Sequence, residues 1–228
     1  AFEYQPLATF NESGITAPAY AVTKHYDIQH PNDDLETVTF VDGFGRAVQV
    51  KKDGVVTSAA KGNSAKDENV MIVSGRNVYD AFGRVAKAFY PTTEGIGSKS
   101  TFNKSFDNVS PTVTVYDVLD RATSVALPDN STTTTAYTVD NSSHTLVTTV
   151  TDALHNVQAT HTNGSGKTVK TIQKSGPDGE ITTSFEYDGI QRLVRVTDTE
   201  GNVTTSTYDM GDRRTAVSYT HLDAADEL

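Results

Sequence analysis

Cysteine and tryptophan are absent from the 228 residues, and leucine and methionine number only nine and two. Without Cys there is no disulfide framework, thiolate zinc site, iron–sulfur ligation or cysteine nucleophile, and the absence fits secretion and the cytosol equally. Against so few unbranched helix formers stand 34 Thr and 25 Val. Such β-branched side chains lose rotamers in a helix and pack well on a pleated sheet, so helix should be nearly absent. No stretch of ten or more residues sets apolar side chains at i, i+3, i+4 and i+7. No apolar run reaches the ~18 residues of a membrane span. Positive charge is short as well: 19 Lys+Arg face 29 Asp+Glu, a net charge of −10. The cations are scattered singly among acids, which argues against a face for nucleic-acid phosphates or anionic membranes. The opening Ala1-Phe2-Glu3-Tyr4 is neither a Met start nor a signal peptide, so the chain is expected to begin inside a longer protein.

What is present is strand and turn chemistry. With 36% apolar residues, the core is expected to be thin and rich in Val, Tyr and Phe, lining one face of many short strands. Ile181 to Tyr187 alternates as a half-buried strand does. Turn signals of Pro, Gly, Asp and Asn recur at Tyr90 to Gly95, Leu127 to Asn130 and Gly176 to Gly179.

A repeat organises the chain. The hexad Tyr79-Asp80-Ala81-Phe82-Gly83-Arg84 is echoed at Val41 to Arg46, Tyr116 to Arg121, Thr151 to Asn156, Tyr187 to Arg192 and Tyr208 to Arg213. Its Asp is present in all six copies, at Asp42, Asp80, Asp117, Asp152, Asp188 and Asp209, in steps of 38, 37, 35, 36 and 21. A related turn, Asp198-Thr199-Glu200-Gly201-Asn202, divides the last step. An Asp that opens a four-residue turn can accept the amide two residues on, and a fourth-place Gly, as at Gly45, Gly83 and Gly201, supplies the positive φ that returns the chain antiparallel. Where Asp120, His155, Gln191 or Asp212 holds that place, the turn must bear strain or change type. Tyr79, Tyr116, Tyr187 and Tyr208 before the turn, and Arg46, Arg84, Arg121, Arg192 and Arg213 after it, are expected to face each other across the hairpin neck, guanidinium on phenol.

Residues 1–36 read as a partly irregular lead-in and 37–217 as the repeat array. Residues 218–228 fit neither repeat nor strand and read as a tail left by truncation or read-through.

No residue is expected to be catalytic, metal-binding or cofactor-binding. His155 and His161 would share a strand face but lie about 20 Å apart, too far for one ion; His25 and His30 offer no more. The repeated Asp residues lack the Asp-x-Asp-x-Asp-Gly spacing of a calcium loop and are explained by turn capping. Asn-x-Ser/Thr sequons such as Asn108-Val109-Ser110 and Asn202-Val203-Thr204 are common in so Thr-rich a chain. No Gly-x-Ser-x-Gly, His-Glu-x-x-His or phosphate-loop motif occurs.

The segment from Tyr187-Asp188 through Gln191-Arg192, Asp198, Gly201 and Thr204 to Tyr208-Asp209 closely resembles one YD repeat of the bacterial RHS family, with Gln191 in the place of Gly and Thr199 where Pro is frequent. Residues 37–54 are similar to the segment where RHS repeats begin in insecticidal toxin-complex B subunits and their virulence-plasmid relatives. The resemblance covers 37–217. It implies an all-β fold of repeated antiparallel hairpins in an extended, curved sheet, part of a spiral shell around a C-terminal toxin. It implies no enzymatic activity and no cofactor. The implied partners are the remaining repeats of the polypeptide and the enclosed toxin, and the implied location is secreted or associated with the bacterial envelope. The family's self-cleaving Asp motifs have no counterpart here. A second reading is an extracellular YD-repeat adhesion module that binds carbohydrate, which would require Tyr and Phe rings on an exposed face.

Overall fold

The computed structural model describes residues 1–11, 14–26, 28, 34–58, 65–104, 110–174 and 179–220. They form antiparallel β-structure, and the one helical element among them is a single 3-10 turn at Ile96–Ser98. The all-β class expected from Thr and Val is the architecture found, an antiparallel arrangement consistent with an extended repeat shell. Two compact units divide the chain, Ala1–Val115 with Ala126–Asn130, and Tyr116–Val125 with Ser131–Leu228.

The first unit contains β1 (Phe2–Gln5), β2 (Thr9–Asn11), β3 (Gly14–Ala17), β4 (Ala19–His25), β5 (Leu35–Val41), β6 (Ala47–Ser58), β7 (Lys66–Ser74), β8 (Asn77–Tyr79), β9 (Val85–Ala88), β10 (Thr92–Gly95) and most of β11 (Thr112–Tyr116). Six of them form one sheet in the order β1-β4-β5-β6-β7-β10. Strand therefore begins well before residue 37, and the boundary at 36/37 falls inside β5. The cause is a matched alternation: Tyr20, Val22 and Lys24 stand directly opposite Phe40, Val38 and Glu36. Each pair is complementary, since the Tyr20 and Phe40 ring centroids are 5.4 Å apart and Lys24 Nζ lies 3.1 Å from Glu36.

Val22, Val38 and Phe40 make the core of this sheet, with Phe102 edge-on to Phe40 at 5.4 Å. Polar side chains are buried beside it and each is answered. Gln49 donates from Nε2 to the Asn103 carbonyl at 3.1 Å and accepts the Asn103 amide at 2.9 Å. Lys51, fully buried, donates to Glu94 and, at 2.9 Å, to the Ser98 carbonyl. Residues 94–103 are thus strapped onto β6 by Glu94, Ser98 and Asn103 and onto β5 by Phe102. A second buried cation, Arg76, donates to the Tyr90 carbonyl and lies over the Phe89 ring.

The second unit takes in most of β12 (Ala122–Ala126), with β13 (Thr132–Asp140), β14 (Thr145–Thr151), β15 (Val157–Thr162), β16 (Thr168–Lys174), β17 (Glu180–Tyr187), β18 (Leu193–Thr197), β19 (Val203–Tyr208) and β20 (Arg214–Tyr219). From β13 to β20 each strand pairs antiparallel with the next. Among its described residues only Val147 and Thr145 are buried. β17 is half-buried on both faces at its centre, not alternately exposed as its period suggests. A ladder of directly opposed residues, Thr148, Thr160, Thr171 and Thr183, crosses four strands. This explains the composition: a single layer without a thick core is served by β-branched side chains that cover their neighbours and keep a hydroxyl for water.

β20 extends to Tyr219, opposite Thr204, so Ser218 and Tyr219 belong to the strand rather than to the tail expected from 218. Residues 221–228 lie outside the described residues, as do His30 and most of the turn at 176–179. His155 is a turn residue and His161 a strand residue, so the two do not share one strand as the sequence suggested.

Candidate functional site

The Asp42 turn shows how the repeat is built. The Asp42 amide donates to the Arg46 carbonyl at 2.9 Å and the Gly45 amide returns to the Asp42 carbonyl at 3.0 Å. Oδ1 of Asp42 accepts the amides of Phe44 and Arg46 at 2.9 and 3.0 Å, and Oδ2 accepts Arg46 Nε at 2.7 Å. One carboxylate thereby satisfies two turn amides and fixes the cation that follows. Gly45 has φ 75°, and the register slips by one between Phe40 and Val41, a bulge that re-aims the outgoing strand.

Asp80, Asp117, Asp188 and Asp209 repeat the arrangement with Arg84, Arg121, Arg192 and Arg213. Asp152 and Asp198 use Asn156 and Asn202 in the place of Arg, each through Nδ2 at 2.8 Å. The fourth residue is left-handed in every copy, Gly83 and Gly201 included. At Asp120, His155, Gln191 and Asp212, φ is 61°, 64°, 69° and 62°, so the turn type is kept and the side chain bears the strain. Gln191 has no local polar advantage in that region. Gln191→Gly should therefore raise stability by about 0.5–1 kcal/mol, the relief of strain less the added freedom of the unfolded chain; an unchanged or lower urea midpoint would contradict this.

The Arg–Tyr contact differs from the expected one across the hairpin neck. Three of the five turn arginines lie on the Tyr of a later hairpin. Arg46 covers Tyr79 at 4.2 Å from the ring centroid, Arg121 covers Tyr137 at 3.9 Å, and Arg192 covers Tyr208 at 4.9 Å. The Tyr hydroxyl then donates to the carbonyl of the residue after the cation: Tyr79 to Ala47 and Tyr208 to Leu193, both at 2.9 Å. Within its own hairpin the Tyr stands opposite the residue after Arg, Leu193 for Tyr187 and Arg214 for Tyr208. The bulge thus carries each Arg past its own Tyr, and Arg192 Nη1 reaches the Asp209 carbonyl and Asp212 Oδ1, both at 3.0 Å.

Strand alternation also re-sorts the copies. In the second unit the turns at Asp117, Asp140, Asn163, Asp188 and Asp209 lie at one margin of the strands, and those at Asp152 and Asp198 at the other. Asp152 is thus an opposite-margin turn. A further copy, without the Tyr-Asp hexad, is Asn163-Gly164-Ser165-Gly166-Lys167, in which Asn163 Oδ1 accepts the Ser165 and Lys167 amides at 3.0 Å. Lys167 lies 5.9 Å from the Tyr187 ring centroid and Tyr187 donates to Thr168 O at 2.9 Å. Gly in fourth place before a cation was the readable signal.

The turn carboxylates titrate below their ordinary range. For Asp117 and Asp209 the leading cause is the amide bond from the following Arg. For Asp42 and Asp80 partial burial pushes upward and the Arg side-chain and amide bonds outweigh it. A group whose folded pKa is depressed adds stability above its unfolded value, about 3.9 for Asp, and loses it as pH falls through the folded value. The urea midpoint should fall as pH drops below about 4, and Asp188→Asn should flatten that fall. A midpoint level from pH 5 to pH 2, on the order of the full carboxylate range, would contradict it.

Among the clefts formed by the described residues are two of about 340 Å³. One is apolar, walled by Val41, Val48 and Phe102, and its charged residue, Asp42, is occupied by its own turn. The other is lined by Asp152 and Asn156, which bond each other. Among the described residues no group of three or more His, Cys, Asp or Glu could hold a metal ion, and no helix is long and apolar enough to cross a membrane.

Comparison with known proteins agrees with this geometry. Residues 187–221 match the family model for the RHS Repeat. Among curated proteins none matches significantly. Similar solved structures include the crystal structure of TcdB2-TccC3-Cdc42, 15% identical, with a TM-score of 0.57 over 90% of this chain and 14% of that one. TcdB2-TccC3-TEV is also 15% identical, with a TM-score of 0.55 over 93% of this chain and 14% of that one. For TcdB2-TccC3 without its hypervariable C-terminal region the identity is again 15% and the TM-score 0.51, over 89% and 13%. At this identity the likeness is one of fold, and the chain spans about one seventh of the length of those chains. Residues 187–221 thus carry an RHS repeat, and the Asp turn found in that repeat recurs along the chain from Asp42 to Asp209.

Proposed function

We propose that this chain is a non-enzymatic stretch of wall in an RHS-repeat shell, one that encloses a toxic C-terminal polypeptide and helps to deliver it. Its partners on this reading are further RHS repeats of the same polypeptide and the enclosed toxin, in a secreted or envelope-associated bacterial setting. The observation that carries it is the clasp from each hairpin to the next, Arg on the following Tyr, in a single layer with almost no buried core of its own in the second unit. Such a layer is suited to spanning and partitioning space rather than to cradling a substrate. The fold likeness to complexes containing TcdB2 and TccC3 supports the same reading. A carbohydrate-binding role gains nothing from Tyr79, Tyr137, Tyr187 and Tyr208, because a cation already covers a face of each ring.

In the complete natural polypeptide, residues C-terminal to the repeats should resist added protease, and pairing Arg121→Ala with Arg192→Ala should open them to cleavage. A polypeptide without a protected segment, or one whose protection is indifferent to the two substitutions, would overturn the proposal.

A further inference from the structure

Among the described turns of this set one is led by Asn, and its clasp is the longest. Lys167 Nζ stands 5.9 Å from the Tyr187 centroid, against 3.9–4.9 Å for Arg46, Arg121 and Arg192 on their rings. Asp188 holds Arg192 through Oδ2 at 2.7 Å, whereas Asn163 presents Lys167 with an uncharged carboxamide. Asn163 is also the one Asn in the chain that Gly follows. Gly164 is exposed, open space surrounds the place its Cβ would take, and its amide has no acceptor among the described residues. The carboxamide beside it is polarised. Its Oδ1 accepts the Ser165 and Lys167 amides, both at 3.0 Å, a distance at which amide donors stabilise charge developing on an oxygen.

We infer that Asn163 is a modification site, where the turn converts its own carboxamide to a carboxylate with water as the co-reactant. The Gly164 nitrogen gives its proton to solvent hydroxide and bonds to Cγ, and the π electron pair of Cγ–Oδ1 moves onto Oδ1, between the two amides. The Cγ–Nδ2 bond then breaks, and Nδ2 leaves as ammonia with a proton from water, which closes a cyclic imide. Water added at Cγ breaks the bond to the Gly164 nitrogen and gives Asp. Added at the backbone carbonyl carbon, it gives isoaspartate, which lengthens the main chain. Two amides polarise the Cγ oxygen, but one, from Gly166 at 2.9 Å, polarises the backbone oxygen, so the folded turn directs water to Cγ. The Asp product keeps both amide bonds and offers Lys167 the charge that Asp188 offers Arg192. Other residues lack this combination. Asn156 and Asn202 commit Nδ2 to Asp152 and Asp198 and precede Val. Asp42 and Asp188 precede Gly, but their carboxylates are already charged and held by Arg.

The test holds the full chain in mildly alkaline buffer, folded and, in parallel, unfolded in guanidinium chloride, with mass-spectrometric mapping that separates Asp from isoaspartate. In the folded chain Asn163 should convert before any other Asn, moving the formal charge of −10 one unit further negative. Asp should exceed isoaspartate there, and unfolding should reverse the ratio. Gly164→Val should abolish the charge shift, because a β-branched side chain crowds the attacking nitrogen. Asn163→Asp makes the product directly; its urea midpoint should exceed that of the native chain, and adding Lys167→Met should cancel the gain. Four results would overturn the inference: a folded chain in which another Asn converts first, a charge shift that persists in Gly164→Val, the same product ratio folded and unfolded, or an Asn163→Asp midpoint at or below the native one. None of these bears on protease protection of an enclosed segment, so the modification and the shell fail separately.

Discussion

Replacing Lys51 with Ala should destabilise the first unit by about 3–5 kcal/mol, the usual loss when one member of a buried ion pair is removed. The Lys51 side chain is fully buried, and its ammonium joins Glu94 to the Ser98 carbonyl. Burial pushes the Glu94 carboxyl upward, but the bonds from Lys51 and Ser98 hold it below the ordinary range. Without Lys51 that carboxylate keeps its burial and loses its cation. The strap from 94 to 103 should loosen with it, which predicts faster amide exchange at Asn103, 54 residues from its partner Gln49. Pairing Lys51→Met with Glu94→Gln removes both charges and should recover much of the loss. A single Lys51→Ala variant with a native urea midpoint would contradict this account of the strap.

Phe40→Ala should cost about 3–5 kcal/mol, as large-to-small changes at buried aromatics do. Phe40 is fully buried, lies between Tyr20 and Phe102, and packs with Val22 and Val38. Phe102 comes from the strap, so the lost ring frees both the sheet face and the segment that covers it. Phe44→Ala is the control, because Phe44 is 86% exposed at a turn tip; it should shift the midpoint little. Equal losses at Phe40 and Phe44 would contradict the assignment of the core.

The strands and turns were legible because their causes are local. Thr and Val favour a pleated layer, and Asp with a left-handed fourth residue closes a turn from within five residues, so Asp42, Asp80, Asp117, Asp188 and Asp209 could be read as turn openers from spacing. The partner of each Arg could not, because it depends on which strand lies alongside and in what register. Tyr137 is three residues ahead of Asp140 in a longer hairpin, and no Tyr-Asp pair marks it, yet it receives Arg121. Asn163 and Lys167 escaped notice because Asn can supply the same accepting oxygen as Asp, and Lys the same charge as Arg. Strand in the first 25 residues went unread because its reason lies across the sheet, in Phe40, Val38 and Glu36. The same holds for Gln49 and Lys51, ordinary polar residues in sequence whose burial is created by a distant strap.

Native-state amide exchange of Tyr208→Ala tests most directly the claim that this sheet is held from hairpin to hairpin. The clasp account predicts that protection falls in β18, where Leu193 loses its phenol donor and Arg192 its ring, as well as in β19 and β20. Arg192→Ala should give the same pattern, and the double variant should be no worse than the worse single, as expected for residues acting through one contact. Losses confined to the substituted hairpin, adding fully in the double variant, would contradict it.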